Sequence, residues 1–199
     1  MNVLISCEYS GRTRSAFRAL GHNVWSCDLL PSVDKSPRHI QGDVLDVIKS
    51  RDWDLMIAHP PCTYLSNSGV CHLHTDPARW YKLDDGAAFF KTLLEADIPK
   101  IAIENPIPHK YAVERIGRKY DQLVQPWMFG HKERKATCFW LKGLDKLTET
   151  DNVREEMLKL PKREQQRLHY LSPGPNRWKI RSTTFQGIAD AMAKQWGGE

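Results

Sequence analysis

Residues 2–28 read NVLISCEYSGRTRSAFRALGHNVWSCD. Two short apolar runs, Asn2–Ser6 and Asn23–Asp28, flank a segment with helical spacing. Within Gly11–Leu20, the residues Ala16, Phe17 and Leu20 fall on one helical stripe, and Gly21 supplies the stop. Strand, helix and strand in so short a stretch predict a βαβ unit, because two parallel strands need a crossover and the helix provides it.

The pattern continues outward from this unit. His39–Gly42 reads as a short third strand, and Leu45–Ser50 as a short helix. Trp53–Ala58 is a fourth strand, ended by Pro60-Pro61, which cannot donate to a sheet. Asp84–Ala96 reads as a helix with Ala87, Ala88, Lys91 and Leu94 in line. Lys100–Glu104 is a fifth strand, stopped at Asn105-Pro106. Farther on, Asp121–Gln125 and Ala136–Leu141 read as strands. Asn152–Arg167 is a charged helical piece interrupted by Pro161, and Ser172-Pro173-Gly174-Pro175 is a turn. Thr184–Trp196 is a last helix with Ile188, Met192 and Trp196 on one stripe. The expected fold class is α/β, with one domain over residues 1–199. It would be an open, mostly parallel sheet with a small basic insert, 142–181, before the last helix.

Composition agrees with a single globular unit. The chain has 199 residues, 41% hydrophobic and 27% charged, which argues against disorder. Its five cysteines contain no C-x-x-C pair, so a disulfide framework or a four-cysteine zinc site is not expected and a reducing, cytoplasmic setting is. Met1-Asn2 leads straight into the first apolar run, with no secretory leader pattern. The longest stretch without Asp, Glu, Lys or Arg is Leu55–Thr75, but His59, Pro60, Pro61 and Ser66–Ser68 exclude a membrane span. Its second part is a long polar loop past a strand end, where open α/β sheets bind ligands.

Charge is unevenly placed. Residues 1–109 carry 11 Lys/Arg against 13 Asp/Glu, whereas residues 110–181 carry 17 against 9. The basic half is suited to a polyanion, or is simply a solvated surface. RWKIR at 177–181 interleaves Arg177, Trp178, Lys179 and Arg181, a pattern for phosphate contact and base stacking, unless Trp178 packs in the core. Cys71, His72 and His74 are too tightly spaced for a usual zinc site, and no metal is expected.

Two motifs carry chemistry. HPPCTYLSNSG at 59–69 puts Cys62 just beyond the fourth strand, on a backbone fixed by two prolines. A thiol near positive charge is a candidate nucleophile, while a buried structural cysteine is the ordinary alternative. AIENP at 102–106 puts Glu104 at the end of the neighbouring strand. A carboxyl there can have a raised pKa and donate a proton, or can merely cap local backbone.

These residues resemble a family. PPCTYLSNSG is similar to the catalytic loop of DNA cytosine-5 methyltransferases, IENP resembles their Glu-Asn motif, and SCEYSG at 6–11 stands where they have a glycine-rich cofactor loop. With CDLLPS, IQGDV, FGHKERKATCFWLKGL and RSTTFQGIADAMAKQW in the same order, the chain resembles compact phage and prophage members. The resemblance implies a Rossmann-like S-adenosylmethionine-dependent methyltransferase fold, with double-stranded DNA as partner. Cys62 would attack C6 of a flipped-out cytosine, with Glu104 holding N3 and the exocyclic amine. The cofactor would meet Ser6, Cys7, Glu8, Tyr9 and Gly11, then Asp28 and Leu29, Asp43 and Val44, and finally Pro60, Thr184 and Gln186. The substrate would meet Pro61, Thr63, Ser66, Ser68, Asn105, His131, Lys132, Arg177, Trp178, Lys179 and Arg181.

Departures from the family are also legible. Only Gly11 remains of the glycine-rich loop, the Gln-x-Arg-x-Arg motif is replaced by His131-Lys132-Glu133-Arg134-Lys135, and both Arg134 and Lys135 stand as candidates for its catalytic base contact. The insert of 142–181 leaves 40 residues for target recognition. RNA as substrate, a modified S-adenosylmethionine as donor, or a non-catalytic nucleic-acid-binding module are the alternatives.

Overall fold

The computed structural model describes residues 1–198. Seven strands form one sheet in the order β3-β2-β1-β4-β5-β7-β6. They are β1 (Asn2–Ser6), β2 (Asn23–Asp28), β3 (His39–Gln41), β4 (Leu55–Ala58), β5 (Lys100–Pro106), β6 (Gln122–Val124) and β7 (Thr137–Lys142). The pairs β3–β2, β2–β1, β1–β4 and β4–β5 are parallel, while β7 runs antiparallel to both β5 and β6.

Eight helices surround the sheet: α1 (Arg12–Ala19), α2 (Val44–Ile48), α3 (Ala78–Leu94), α4 (Lys110–Ile116), α5 (Arg154–Leu158), α6 (Lys162–Gln165), α7 (Arg177–Ser182) and α8 (Gln186–Trp196). Their placement follows from the period of two along each strand. Val3, Ile5, Leu55, Ile57, Ala102, Phe139 and Leu141 share one core with Phe17 of α1 and Ile188, Met192 and Trp196 of α8. Leu4, Met56, Ala58, Ile101, Ile103, Cys138 and Trp140 share the other, with Val47, Leu83, Phe90 and Ile116. A sheet buried on both faces reads as continuous apolar runs, which is why β1 and β4 stood out in the sequence. Each fully buried aliphatic side chain contributes roughly 1.5–3 kcal/mol. Leu147 and Leu168 of the insert join the first core, so the insert packs on the sheet's own layers.

Several boundaries differ from expectation. α3 begins at Ala78, not Asp84: Trp80 and Leu83 extend the buried stripe of Ala87 and Phe90 upstream. α4 was not expected; His109 Nδ1 caps it by accepting the Ala112 N–H at 3.0 Å, and Gly117 ends it at φ 77°. The residues 177–181 expected only as a basic patch form α7, which buries no side chain and so leaves no hydrophobic period. Pro161 divides the charged helical piece into α5 and α6. The last helix starts at Gln186, since Thr184 lies ahead of the extended residue Phe185. β5 continues two residues past Glu104, because antiparallel pairing with β7 carries it to Pro106.

Candidate active site

The sheet order reverses direction at β1, whose neighbours β2 and β4 lead the chain to opposite sides. A crevice forms outside the carboxyl ends of strands at such a point. The segments that converge there are the loop Cys7–Gly11 after β1, His59–Cys62 after β4 and Glu104-Asn105 in β5. His59 N–H donates to the Ser6 carbonyl at 2.9 Å, tying the first two together. Asn105 Nδ2 donates to the Pro60 carbonyl at 3.0 Å, tying the second to the third.

The loop after Cys62 is braced from the same side. Leu65 and Ser66 N–H groups turn back to the Cys62 carbonyl at 3.1 and 2.9 Å. His109 Nε2 bonds the Tyr64 carbonyl at 2.9 Å, and Ser66 and Ser68 hydroxyls lie 3.0 Å apart. Pro61 and Thr63 are exposed on either side of the half-buried Cys62, and Pro60 is buried beneath them.

Glu104 has 11% of its side chain exposed. Its Oε2 meets His59 Nδ1 at 2.8 Å and accepts from Thr184 Oγ1 at 3.2 Å. Burial raises its pKa, but His59, Lys135 and Thr184 together outweigh burial and hold the carboxyl at about 2. The expected raised pKa is therefore corrected: a cationic partner reverses the effect of burial. Burial likewise pushes the Cys62 thiol up, with Lys135 and Arg181 pulling it partly back. Lys135 is half-buried over the Phe185 ring, and its charge acts on Cys62, Glu104 and His59. Arg134 is exposed and makes a backbone bond to the Gln165 carbonyl at 2.6 Å.

On the β1 side, Glu8 is buried and accepts the Thr13 N–H at 2.7 Å and the Arg14 N–H at 3.3 Å. Its carboxylate occupies the positive end of α1, a ready anion site. Gly11 starts that helix at φ 77°, with the Arg14 guanidinium 2.5 Å from where a Cβ would stand. Cys7 holds φ 56°, and burial with the nearby Asp28 pushes its thiol far up. Asp28 ends β2, spends Oδ1 on the Leu30 N–H at 2.9 Å, and has its carboxyl raised by burial. Asp43 caps α2 through the Leu45 N–H at 2.9 Å; Val44 is buried and Leu29 is 73% exposed.

Over this notch lies α7. Tyr9 Oη donates to the Lys179 carbonyl at 3.0 Å, and the Tyr9 and Trp178 rings are 5.8 Å apart. Trp178 is 49% exposed, which excludes its packing in the core. Arg181 is exposed and its charge lowers the Cys62 thiol slightly, whereas Arg177 bonds the Leu171 and His169 carbonyls at 2.9 and 3.2 Å. What remains is a cleft of about 50 Å³ among Cys7, Glu8, Tyr9, Ser10, His59, Ser182 and Thr184.

Three expected contacts lie away from the cleft. His131 Nε2 accepts the Gly187 N–H at 2.9 Å and so anchors α8. Lys132 pairs with Glu156 at 2.5 Å, and Gln186 with Asp190 at 2.9 Å on its own helix. The sequence reading missed His59 and His109. The signal for His59 was its place in HPPC, directly after a buried strand.

Among the described residues, no three or more His, Cys, Asp or Glu side chains are grouped to hold a metal, and no helix is long and apolar enough to cross a membrane. No protein-family model matches the chain. No curated protein matches it in sequence. Among solved structures, it is similar to a protein described as a DNA modification methyltransferase encoded within an E. coli prophage, with TM-score 0.50 and 18% identity. The match covers 81% of this chain and 56% of that one, so this chain spans about half the length of that relative. The bifunctional kinase-methyltransferase WbdD (TM-score 0.43, 13% identity, 74% of this chain and 36% of that one) and Spodoptera frugiperda DNMT2 (0.40, 14%, 77% and 53%) are too distant to bear on function. The fold is a Rossmann-like open α/β sheet, mostly parallel, similar to that of the prophage methyltransferase.

Proposed function

We propose that the chain is an S-adenosylmethionine-dependent DNA cytosine-5 methyltransferase with Cys62 as nucleophile. The observation that carries this reading is the placement of Cys62 past the end of β4 and of Glu104 just beyond the last parallel pair between β4 and β5, with the charges of Lys135 and Arg181 acting on the thiol. The notch also suits the donor. Ser6 Oγ is buried without a partner at the tip of β1, and acids stand past the ends of β2 and β3. Ser6, Cys7 and Tyr9 would hold the amino-acid part of S-adenosylmethionine, Asp28 and Leu29 the ribose, and Asp43 and Val44 the adenine. When bound, it supplies an electrophilic methyl group. The cleft of about 50 Å³ is far below the roughly 300 Å³ of a ligand pocket, so α7 must lift off Tyr9 for ligands to enter.

The residues then have distinct roles. Flipping the base costs a few kcal/mol, and exposed Lys179, Arg181 and Trp178 on α7 are suited to hold the displaced strand. Lys135 and Arg181 favour the Cys62 thiolate, which adds to C6 and makes C5 nucleophilic. Glu104 accepts hydrogen bonds from the exocyclic amine, while Asn105 and His109 keep the Cys62 loop in place. Departure of Cys62 from C6 restores the aromatic ring.

The test is covalent trapping on DNA containing 5-fluorocytosine with S-adenosylmethionine present. Wild type gives a gel-stable adduct. Cys62→Ser gives none and transfers no methyl group, with DNA affinity kept within about threefold, roughly 0.7 kcal/mol. Absence of an adduct with wild type overturns the reading. Nucleoside mass spectrometry of DNA and RNA from expressing cells reports the polymer and the added mass; methylated RNA alone would move the substrate from DNA to RNA.

A further inference from the structure

His59 sits at the switch point itself, its backbone locked to Ser6 and its ring between β4 and β5. Only 12% of its side chain is exposed. Nδ1 is 2.8 Å from Glu104 Oε2, while Nε2 is buried with no partner. The ring lines the cleft together with Cys7, Glu8, Tyr9 and Ser10.

The groups that face the ring are mostly acidic. Glu104 comes from β5, Glu8 from the loop after β1, and Asp28 from the end of β2; Lys135, ahead of β7, opposes them. Burial lowers the pKa of His59, but Glu104 and Glu8 outweigh burial and raise it above the usual value. The acidic neighbours thus favour the protonated ring of His59 beside the Glu104 carboxylate. A carboxylate accepts hydrogen bonds, yet has no proton for a ring nitrogen. Addition of a thiolate to C6 needs one at N3.

We propose that His59 is the proton reservoir of this site, holding on Nδ1 the proton that Glu104 relays to N3 of the pyrimidine. It rests on the methyltransferase reading above and makes His59 a positioning residue that acts through Glu104. As the Cys62 Sγ–C6 bond forms, the C5=C6 π pair becomes C4=C5, and the C4=N3 π pair takes a proton from the Glu104 carboxyl. Glu104 Oε2 takes the Nδ1 proton, and the N–H electron pair stays on the imidazole, which becomes neutral. At the end C5 gives its proton to water, the C6–S pair leaves with Cys62, and the N3 proton returns through Glu104 to His59.

The experiment follows the rate of adduct formation on 5-fluorocytosine DNA with S-adenosylmethionine from pH 5.5 to 9.5, for wild type and His59→Asn. Asn keeps a donor for Glu104 but cannot titrate. The wild-type rate should fall on the alkaline side as the imidazolium is lost. His59→Asn should lose that limb and be slower at pH 7 by on the order of a hundredfold, with DNA affinity within about twofold. Ring-nitrogen NMR of the free wild-type protein should show both nitrogens of His59 protonated at pH 7, and Glu104→Gln should move that titration down. This readout decides the question if His59→Asn does not fold. A variant that matches wild type in rate and profile, or a His59 that is neutral at pH 7, overturns the proposal. Wild type without any adduct overturns it together with the methyltransferase reading, whereas equal adducts from wild type and variant overturn the role of His59 alone.

Discussion

Arg134 and Lys135 are adjacent and equally basic, yet their positions differ: Arg134 is exposed, while Lys135 is half-buried and its charge lowers the Cys62 thiol. Each pKa unit corresponds to about 1.4 kcal/mol, or tenfold in thiolate population. Lys135→Ala should therefore raise the Cys62 thiol further and slow adduct formation at pH 7.5 by about tenfold, with the rising limb of the pH profile displaced to higher pH. Arg134→Ala should leave that limb where it is. Superimposable profiles for the two variants would remove Lys135 from the site. Glu104 teaches the converse lesson. Burial alone predicts a raised carboxyl, and a histidine 45 residues away in sequence, with Lys135 and Thr184, favours the resting carboxylate instead.

At the scale of elements, the loop Cys7–Gly11 and α7 matter together. The loop closes on itself, with the Glu8 carboxylate over the first turn of α1, and then offers Tyr9 Oη to α7. That helix buries no side chain, so little besides the Tyr9 bond, the Trp178 contact and the Arg177 bonds to residues 169 and 171 holds it down. Elements with few buried contacts open at low cost. Tyr9→Phe should loosen α7 and speed proteolysis within 172–183 severalfold, while the thermal midpoint of the sheet moves by less than about 2 °C. Unchanged cleavage would show that the Tyr9 hydroxyl does not hold α7. α8 is anchored differently: a Cβ at Gly187 would collide with the Phe129 carbonyl, and His131 takes the Gly187 N–H. The Gln186-Gly187 pair thus serves the joint between this helix and the basic motif.

For the whole molecule, charge and length are the governing quantities. The excess of Lys and Arg lies in residues 110–181, and ion pairs Lys132–Glu156 and Arg167–Glu133 spend some of it within the fold. Exposed Lys179 and Arg181 remain on α7 above the cleft. Binding of duplex DNA should weaken steeply as salt rises, and Lys179→Ala with Arg181→Ala should reduce the slope of log K against log salt by about 1 to 2. An unchanged slope would place the phosphate contacts elsewhere. Leu147 and Leu168 of residues 142–181 pack into the sheet's own core, so this segment is part of the same folded unit.

The sequence by itself determined the sheet. Runs such as Val3–Ile5 and Leu55–Ala58 are apolar on both sides of the strand, and no other arrangement buries both faces. Pro60-Pro61 marked the end of β4 ahead of Cys62, whereas Asn105-Pro106 did not end β5, which pairs with β7 through Pro106. Elements without a buried stripe, α4 and α7, left no period to read. Three features came from the tertiary packing alone: Lys135 is half-buried where Arg134 is exposed, His59 bonds Glu104, and Tyr9 bonds α7 over the cleft. Those outcomes depend on distances of a few ångströms between residues far apart in the chain. Electrostatic energy in a buried site changes steeply over such distances, and residue order alone does not contain them.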